Sequence, residues 1–273
     1  MAAGAGEVSP VPGQLAGRVT LVTGAGSGLG RAIATTYAAE GAAVVCSDRD
    51  ASGARGTVEA ITGSGGRAIP HVGDVTSEAD CAEAVALALR ELGGLDVVVA
   101  NAGIPGEGRA HEISLDDWSR VISVNLTGAF LTVRAALPHL VEQRTGSIVL
   151  IASIAGLVGL PNIPAYAAAK GGVVALGRQL AREYAPDDIR VNVIAPGTIV
   201  TPLVEDAFRQ RHGDEGLEEA LERRAEAVPL GRLGSPDDVA RAAVYLGSDA
   251  AGWVTGTVLT VDGGNVHLGP VPR

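Results

Sequence analysis

The sequence predicts a single α/β domain in which a parallel sheet of about seven strands is doubly wound by helices on both faces. Three observations carry this expectation. Short valine- and isoleucine-rich runs alternate with amphipathic stretches along the whole chain. Most of those runs are continuously apolar, as strands covered on both faces must be. No linker divides the 273 residues, a length that suits one large α/β domain.

Strands are expected over 18–23, 43–47, 68–72, 95–100, 147–152, 190–195 and 257–261, with helical patterns over 29–40, 52–62, 78–92, 115–143, 165–184 and 236–246. Residues 1–14, rich in Ala, Gly and Pro, read as a flexible tail, 15–265 as one folded domain and 266–273 as a second short tail. The charged, weakly patterned stretch 201–232 follows the sixth strand, where a doubly wound sheet opens its ligand crevice. It reads as a mobile lid over a substrate, with a solvated surface insertion as the alternative.

Composition narrows the functions. The chain is 47% hydrophobic and 19% charged, enough for a full core, and its net charge is −10. Such an acidic surface argues against nucleic acid and anionic membrane as partners. No continuous apolar run reaches the roughly 18 residues of a membrane span, and Met1 to Pro12 lacks the apolar centre of a signal peptide. Cys46 and Cys81 have no metal-like spacing and read as buried thiols of a cytoplasmic protein. The five histidines form no HExxH or clustered ligand set, so no metal is expected. Twenty arginines accompany one lysine, Lys170, which suggests a task that a guanidinium cannot perform.

The first strand runs into Thr23-Gly24-Ala25-Gly26-Ser27-Gly28-Leu29-Gly30 and then into a helix. Glycines there let the backbone turn tightly and approach a pyrophosphate, which would face the helix N-terminus and its free N–H groups. No P-loop lysine follows, so nucleotide hydrolysis is not expected. Asp48 ends the second strand, 18 positions after Gly30. A carboxylate there accepts hydrogen bonds from both adenosine ribose hydroxyls and repels a 2′-phosphate, favouring NAD over NADP, although the adjacent Arg49 could cap that phosphate instead. Asp74 can reach an adenine amino group while Val75 covers a ring face; the competing role for Asp74 is the N-cap of the helix beginning near Glu78. After the fourth strand, the small residues of Asn101-Ala102-Gly103 let backbone approach a cofactor.

Ser153 closes the fifth strand, Tyr166 lies 13 positions later, and Lys170 four after that. Tyr166 and Lys170 therefore share a helix face. A phenol is a poor base at neutral pH, and a nearby ammonium is expected to lower its pKa. Tyr166 could then exchange a proton with a carbonyl or alcohol oxygen that Ser153 holds in place, while Lys170 also grips the nicotinamide ribose.

With these motifs in order, the chain from about Leu15 to Asn265 resembles the short-chain dehydrogenase/reductase family, whose fold is Rossmann-like. The family's TGxxxGxG is matched by Thr23, Gly24, Gly28 and Gly30, and its NAG by Asn101, Ala102 and Gly103. Its Ser and YxxxK are matched by Ser153, Tyr166 and Lys170. Its PGxxxT is matched by Pro196, Gly197 and Thr201, with Ile199 in the same nicotinamide-contacting segment. The residue before NAG, often Asn, is Ala100 here. The resemblance implies that Asn125, in Asn125-Leu126-Thr127-Gly128, is a fourth catalytic residue that kinks its helix and holds a proton-relaying water. It also implies a homotetramer, or a dimer using the same helices, paired through 115–143 and 165–184. The apolar run 173–176 with Leu180 is expected to add outward apolar surface to the second of these.

The activity this implies is NAD-dependent interconversion of a secondary alcohol and a ketone. The competing readings are an NADPH-dependent 3-oxoacyl-[acyl-carrier-protein] reductase and a non-catalytic NAD-binding regulator. The substrate is not identified: Ile154, Leu160, Asn162, Thr198 and the lid are mixed in polarity, and a sugar, polyol, hydroxy acid, steroid or cyclic ketone would each fit.

Overall fold

The computed structural model describes residues 13–268; the greater part of both expected tails, 1–12 and 269–273, lies outside the described residues. Seven strands, β1 (Val19–Thr23), β2 (Ala43–Asp48), β3 (Arg67–Val72), β4 (Val97–Ala100), β5 (Gly146–Ile151), β6 (Ile189–Pro196) and β7 (Val258–Val261), form one sheet in the order β3-β2-β1-β4-β5-β6-β7. All six pairings are parallel. The order reverses between β1 and β4, and a crevice opens there beyond the carboxyl ends of the strands.

The side-chain period of two divides the core between the two faces. Leu21, Val98, Ile148 and Leu150 pack toward α3 (Glu78–Leu87), α5 (Gly128–Gln143) and α6 (Pro164–Tyr184). Val22, Val99, Val149 and Ile151 pack toward α1 (Gly28–Ala39), α2 (Ala51–Gly63) and α8 (Pro236–Gly247). Both layers are needed to cover the central strands, which explains their uninterrupted apolar sequences. β3 is an edge strand with alternating exposure, and it tolerates Pro70 for that reason.

The segment 115–143 is one long helical unit. α4 (Leu115–Ile122) passes through a π-helical turn, Ser123–Thr127, into α5. An 18-residue window within it has a mean hydropathy of 1.4, so by length and composition this helix could cross a membrane, although it holds no unbroken apolar run. Half of that window is buried, with Ala129, Val133, Ala136 and Leu140 in the core, the pattern of a core helix.

The structure differs from three expectations. The stretch 201–232 is not weakly structured: Pro202–Glu226 is helical (α7), with a break at Gly213, whose φ of 72° and ψ of 169° separate two helical pieces. Thr201 caps it, Pro202 occupies the first turn, and ion pairs such as Arg209–Asp206 and Arg223–Glu219 line its solvent side. Its charged composition, with few apolar positions, hid the helical period. Secondly, Val173, Val174 and Leu180 on α6 are buried in the core and Leu176 packs against it, so this run adds no outward apolar face. A 21-residue helix lying across the sheet needs that width of contact. At the C-terminal end, Asn265–Leu268 forms a short helix, α9, where a tail was expected.

Candidate active site

The glycine turn after β1 is held by its neighbours rather than by its own side chains. Gly24 and Gly28 adopt φ of 67° and 49°, a region that favours glycine. A Cβ on Gly30 would lie 2.0 Å from the Gly24 carbonyl oxygen, so no side chain fits between the turn and the first turn of α1. Arg31 donates to the Gly26 carbonyl and to Thr57, and Thr57 donates to the Ala25 carbonyl. Nothing in the sequence reading singled out these two residues. Ser27 takes the N-cap position of α1, yet its hydroxyl caps nothing. It lines the cleft together with Gly24, Gly28, Leu29 and Gly30.

Asn101 stitches the NAG segment to this turn. Its Nδ2 donates to the Thr23 carbonyl at 2.9 Å, while the Thr23 hydroxyl accepts the N–H groups of Asn101 and Ala102 at 3.1 and 3.2 Å. The Asn101 side chain therefore shapes the cleft, and Ala102 and Gly103 bring backbone to its wall. Asp48 is fixed from two sides, with Oδ2 accepting from Gly26 N–H at 2.8 Å and Oδ1 from Asp50 N–H at 2.9 Å. Arg49 beside it is exposed. Asp74 is not the N-cap of α3, because Ser77 holds that position by accepting from Asp80 N–H. Instead Asp74 accepts from the backbone and hydroxyl of Thr76, which hold its carboxyl below the usual carboxylate range. It is exposed at the cleft beside Val75.

On the opposite wall, β6 ends at Pro196, and Gly197, Ile199 and Thr201 lead from it into α7. The Thr201 methyl carbon would lie 3.7 Å from a Cβ on Gly28, so the start of α7 closes over the glycine turn.

The catalytic candidates meet between these walls. Ser153 follows β5 at the head of a short 3-10 turn, Ile154–Gly156, and its Oγ accepts from Ala155 N–H at 3.1 Å. Gly156 is a second feature the sequence did not signal: a Cβ there would lie 2.6 Å from the backbone of Lys170, so only glycine lets the Ser153 turn press onto α6. Lys170 lies one turn after Tyr166 on α6, with Nζ 5.7 Å from the phenol ring centroid. Lys170 is buried, and its Nζ donates to the Ile151 carbonyl at 2.8 Å. Burial pulls its pKa down from 10.5 to about 8. Tyr166 differs from expectation. Burial raises its pKa and the Ser153 hydroxyl partly offsets this, while the Lys170 ammonium is turned toward the Ile151 carbonyl.

Asn125 is buried inside the π-helical turn. Its Nδ2 donates to the carbonyls of Ile104 and Val121, and its Oδ1 accepts from Ile104 N–H at 3.0 Å. The widened turn thus clamps the loop after β4 against the long helix. A Cβ on Gly103 would lie 2.5 Å from Asn125 Oδ1 and 3.5 Å from Lys170 Nζ, so this glycine lets the loop approach both.

All residues expected from the sequence to bind cofactor or act in catalysis line one cleft of about 500 Å³. Its features suit a dinucleotide. Gly28 is the first residue of α1, whose N-terminus faces this cleft. Asp48 stands 18 positions beyond the turn, and the buried Lys170 ammonium has a single protein acceptor, leaving two N–H groups for ligand hydroxyls. Among the described residues no cluster of His, Cys, Asp and Glu could hold a metal ion.

Comparison with known proteins agrees with this geometry. Residues 24–265 match the family profile described as Enoyl-(Acyl carrier protein) reductase. The chain is 40% identical to 2-(S)-hydroxypropyl-CoM dehydrogenase 3 of Xanthobacter autotrophicus over 92% of this chain and 97% of that one. It is 38% identical to the 3-oxoacyl-[acyl-carrier-protein] reductase of Thermotoga maritima over 93% and 99%. A solved structure from Beutenbergia cavernae, provisionally assigned as an NAD(P) dependent gluconate 5-dehydrogenase and holding NADP at low occupancy, superposes with a TM-score of 0.84 at 39% identity, covering 93% of this chain and 98% of that one. With its parallel seven-stranded sheet and these matches over nearly its whole length, the chain belongs to the short-chain dehydrogenase/reductase family, oxidoreductases that act on CH–OH groups with NAD(P).

Proposed function

We propose that this protein is an NAD-dependent dehydrogenase that interconverts a secondary alcohol and a ketone, with Tyr166 as general acid/base. The observation that carries the reading is the meeting of the Tyr166 phenol, the Ser153 hydroxyl and the buried Lys170 ammonium in the cleft that begins at the glycine turn. A bound NAD supplies a nicotinamide ring that accepts hydride from, or returns it to, the carbon bearing the substrate oxygen. Ser153 and Tyr166 hold that oxygen between them. Tyr166 takes the hydroxyl proton during oxidation and gives it back during reduction. Lys170 grips the nicotinamide ribose hydroxyls with its two unused N–H groups and favours the phenolate by its charge. Asn125 keeps the Ile104 loop in place and, as the resemblance implies, passes protons toward Lys170 through a water.

In this reading Asp48, held by two backbone amides, takes the adenosine ribose and disfavours a 2′-phosphate. Asp74 and Val75 serve the adenine. Gly24, Ser27, Gly28, Leu29 and Gly30 cradle the pyrophosphate, and Asn101, Ala102, Gly103, Pro196, Gly197, Ile199 and Thr201 complete the walls. Residues 201–232 act as the lid. Leu115, Phe130, Leu230, Trp253 and Leu268 are among the exposed apolar residues available to a homotetramer. We place the enzyme in the cytoplasm, acting on small molecules rather than at nucleic acid or membrane. The exposed Arg49 favours one other reading, an NADPH-dependent 3-oxoacyl-[acyl-carrier-protein] reductase. A screen of secondary alcohols with NAD and NADP, followed by the absorbance of reduced cofactor, tests the proposal. Turnover that persists in Tyr166→Phe would defeat it, and a preference for NADPH with acyl-carrier thioesters would favour the other reading.

A further inference from the structure

The Asp48 carboxylate is oriented by two backbone amides, and both are tied to α2. Oδ1 accepts from Asp50 N–H at 2.9 Å, and Asp50 is the N-cap of α2, its own carboxylate accepting from Ser52 N–H. Oδ2 accepts from Gly26 N–H at 2.8 Å. That N–H belongs to the peptide unit whose carbonyl is Ala25. A peptide unit is planar, and in its trans form the carbonyl and the N–H point to opposite sides. Whatever grips the Ala25 carbonyl therefore aims the Gly26 N–H.

Thr57 supplies that grip. From inside α2, with its side chain fully buried, it donates its hydroxyl proton to the Ala25 carbonyl at 2.7 Å. Arg31 on α1 keeps the hydroxyl in place, because its Nε donates to the Thr57 oxygen at 3.0 Å. Arg31 Nη2 also donates to the Gly26 carbonyl at 2.6 Å, which fixes the next peptide unit. The fit is close on every side. A Cβ on Gly53 would stand 2.9 Å from the Gly26 carbonyl oxygen, and a Cβ on Gly26 would stand 2.7 Å from Asp48 Oδ2. A continuous relay thus runs from Arg31 to the Thr57 hydroxyl, through one rigid peptide, to Asp48. Neither Thr57 nor Arg31 lines the cleft.

We propose that Thr57, held by Arg31, is the positioning residue for Asp48, and that this relay sets the preference for NAD over NADP. The inference rests on the reading of Asp48 as the carboxylate that takes the adenosine ribose. With the relay in place, the carboxylate is presented to the ribose hydroxyls and its charge is held where a 2′-phosphate would lie. Without the Thr57 hydroxyl the Ala25–Gly26 peptide is free to turn, and Asp48 loses its aim. Contacts to the ribose hydroxyls and repulsion of the phosphate then weaken together.

The test measures Kd for NADH and NADPH from the emission of the bound reduced cofactor, so it needs no substrate. Thr57→Val retains the branched shape and removes the hydroxyl, and it should lower the preference for NADH at least about fivefold, mainly by weakening NADH. Thr57→Ser keeps the hydroxyl and should restore most of the preference. Arg31 is exposed, so Arg31→Met spares the core, and it should lower the preference at least about twofold. In an Asp48→Ala background, Thr57→Val should change the preference less than about twofold, since the group it acts through is gone. A glycine turn that merely loosened would weaken both cofactors alike, and an unchanged preference in Thr57→Val would overturn the inference. So would an undiminished Thr57→Val effect without Asp48, or a preference that rises in Arg31→Met, which would make Arg31 a phosphate contact. A native protein that binds NADPH as tightly as NADH would defeat the reading of Asp48 and the relay together. A native preference for NADH that survives Thr57→Val would defeat the relay alone.

Discussion

Replacing Lys170 with methionine should make the protein more stable at neutral pH while removing its activity. The buried ammonium has its pKa lowered from 10.5 to about 8 by loss of solvent. At roughly 1.4 kcal/mol per pH unit, holding the charge inside the fold costs about 3 kcal/mol. The folded pKa is the lower one, so the cost is fully present below pH 8. It fades as pH rises toward 10.5, where the unfolded chain also loses its proton. Methionine has similar length and no charge, but it forfeits the hydrogen bond to the Ile151 carbonyl, about 1.5–3 kcal/mol for a charged donor. The net gain at pH 7 is then on the order of 1 kcal/mol, a rise in Tm of about 2–4 °C for a chain of this size. Urea unfolding at pH 7 and pH 10, at one fixed protein concentration, measures both the gain and its disappearance. A methionine variant less stable at pH 7, or one whose advantage is equal at the two pH values, would refute the argument. Turnover should fall by a factor on the order of 10² or more.

Tyr166→Phe should lower kcat by a factor on the order of 10²–10⁴ with little change in cofactor affinity by fluorescence titration, because only the transferable proton is lost. Ser153→Ala removes the hydroxyl that lowers the Tyr166 pKa, so the alkaline rise in oxidation rate should move to higher pH; a rise that stays in place would contradict that coupling. NAD should exceed NADP at least about tenfold in kcat/KM, and Asp48→Ala should narrow the gap while leaving the fold intact. Hydrogen exchange over 201–232 should slow when cofactor and substrate bind, and equal protection in both states would remove the lid. Light scattering at micromolar concentration should return a tetramer or dimer mass, and a monomer mass would rule out the assembly.

Much of this protein is written locally. Strand positions could be read to within about two residues, because a strand buried on both faces must be apolar at every position, whatever its neighbours. The glycine turn, Asp48, Ser153, and the Tyr166–Lys170 pair could be read as well, since each depends on spacing along one turn or one helix face. What could not be read depends on distant backbone. Gly156 is required only because α6 passes within 2.6 Å of where a Cβ would stand. Asn125 matters through its grip on Ile104, 21 residues earlier, a contact that no local pattern encodes. Arg31 and Thr57 brace the glycine turn from two different helices.

The sequence by itself determined the parallel sheet, the order of its strands and helices, and the residues available for catalysis, because these follow from apolar periodicity and short-range spacing. The tertiary structure alone decided that the charged segment 202–226 is helical and seated over the glycine turn, since its helical period is masked by charges that face solvent. It also decided that the Tyr166 phenol is buried, which raises its pKa, and meets the Ser153 hydroxyl, which lowers it. A shared helix face brings two side chains near each other, but the direction in which the ammonium points, toward Ile151, is set by the end of a strand that the helix packs against.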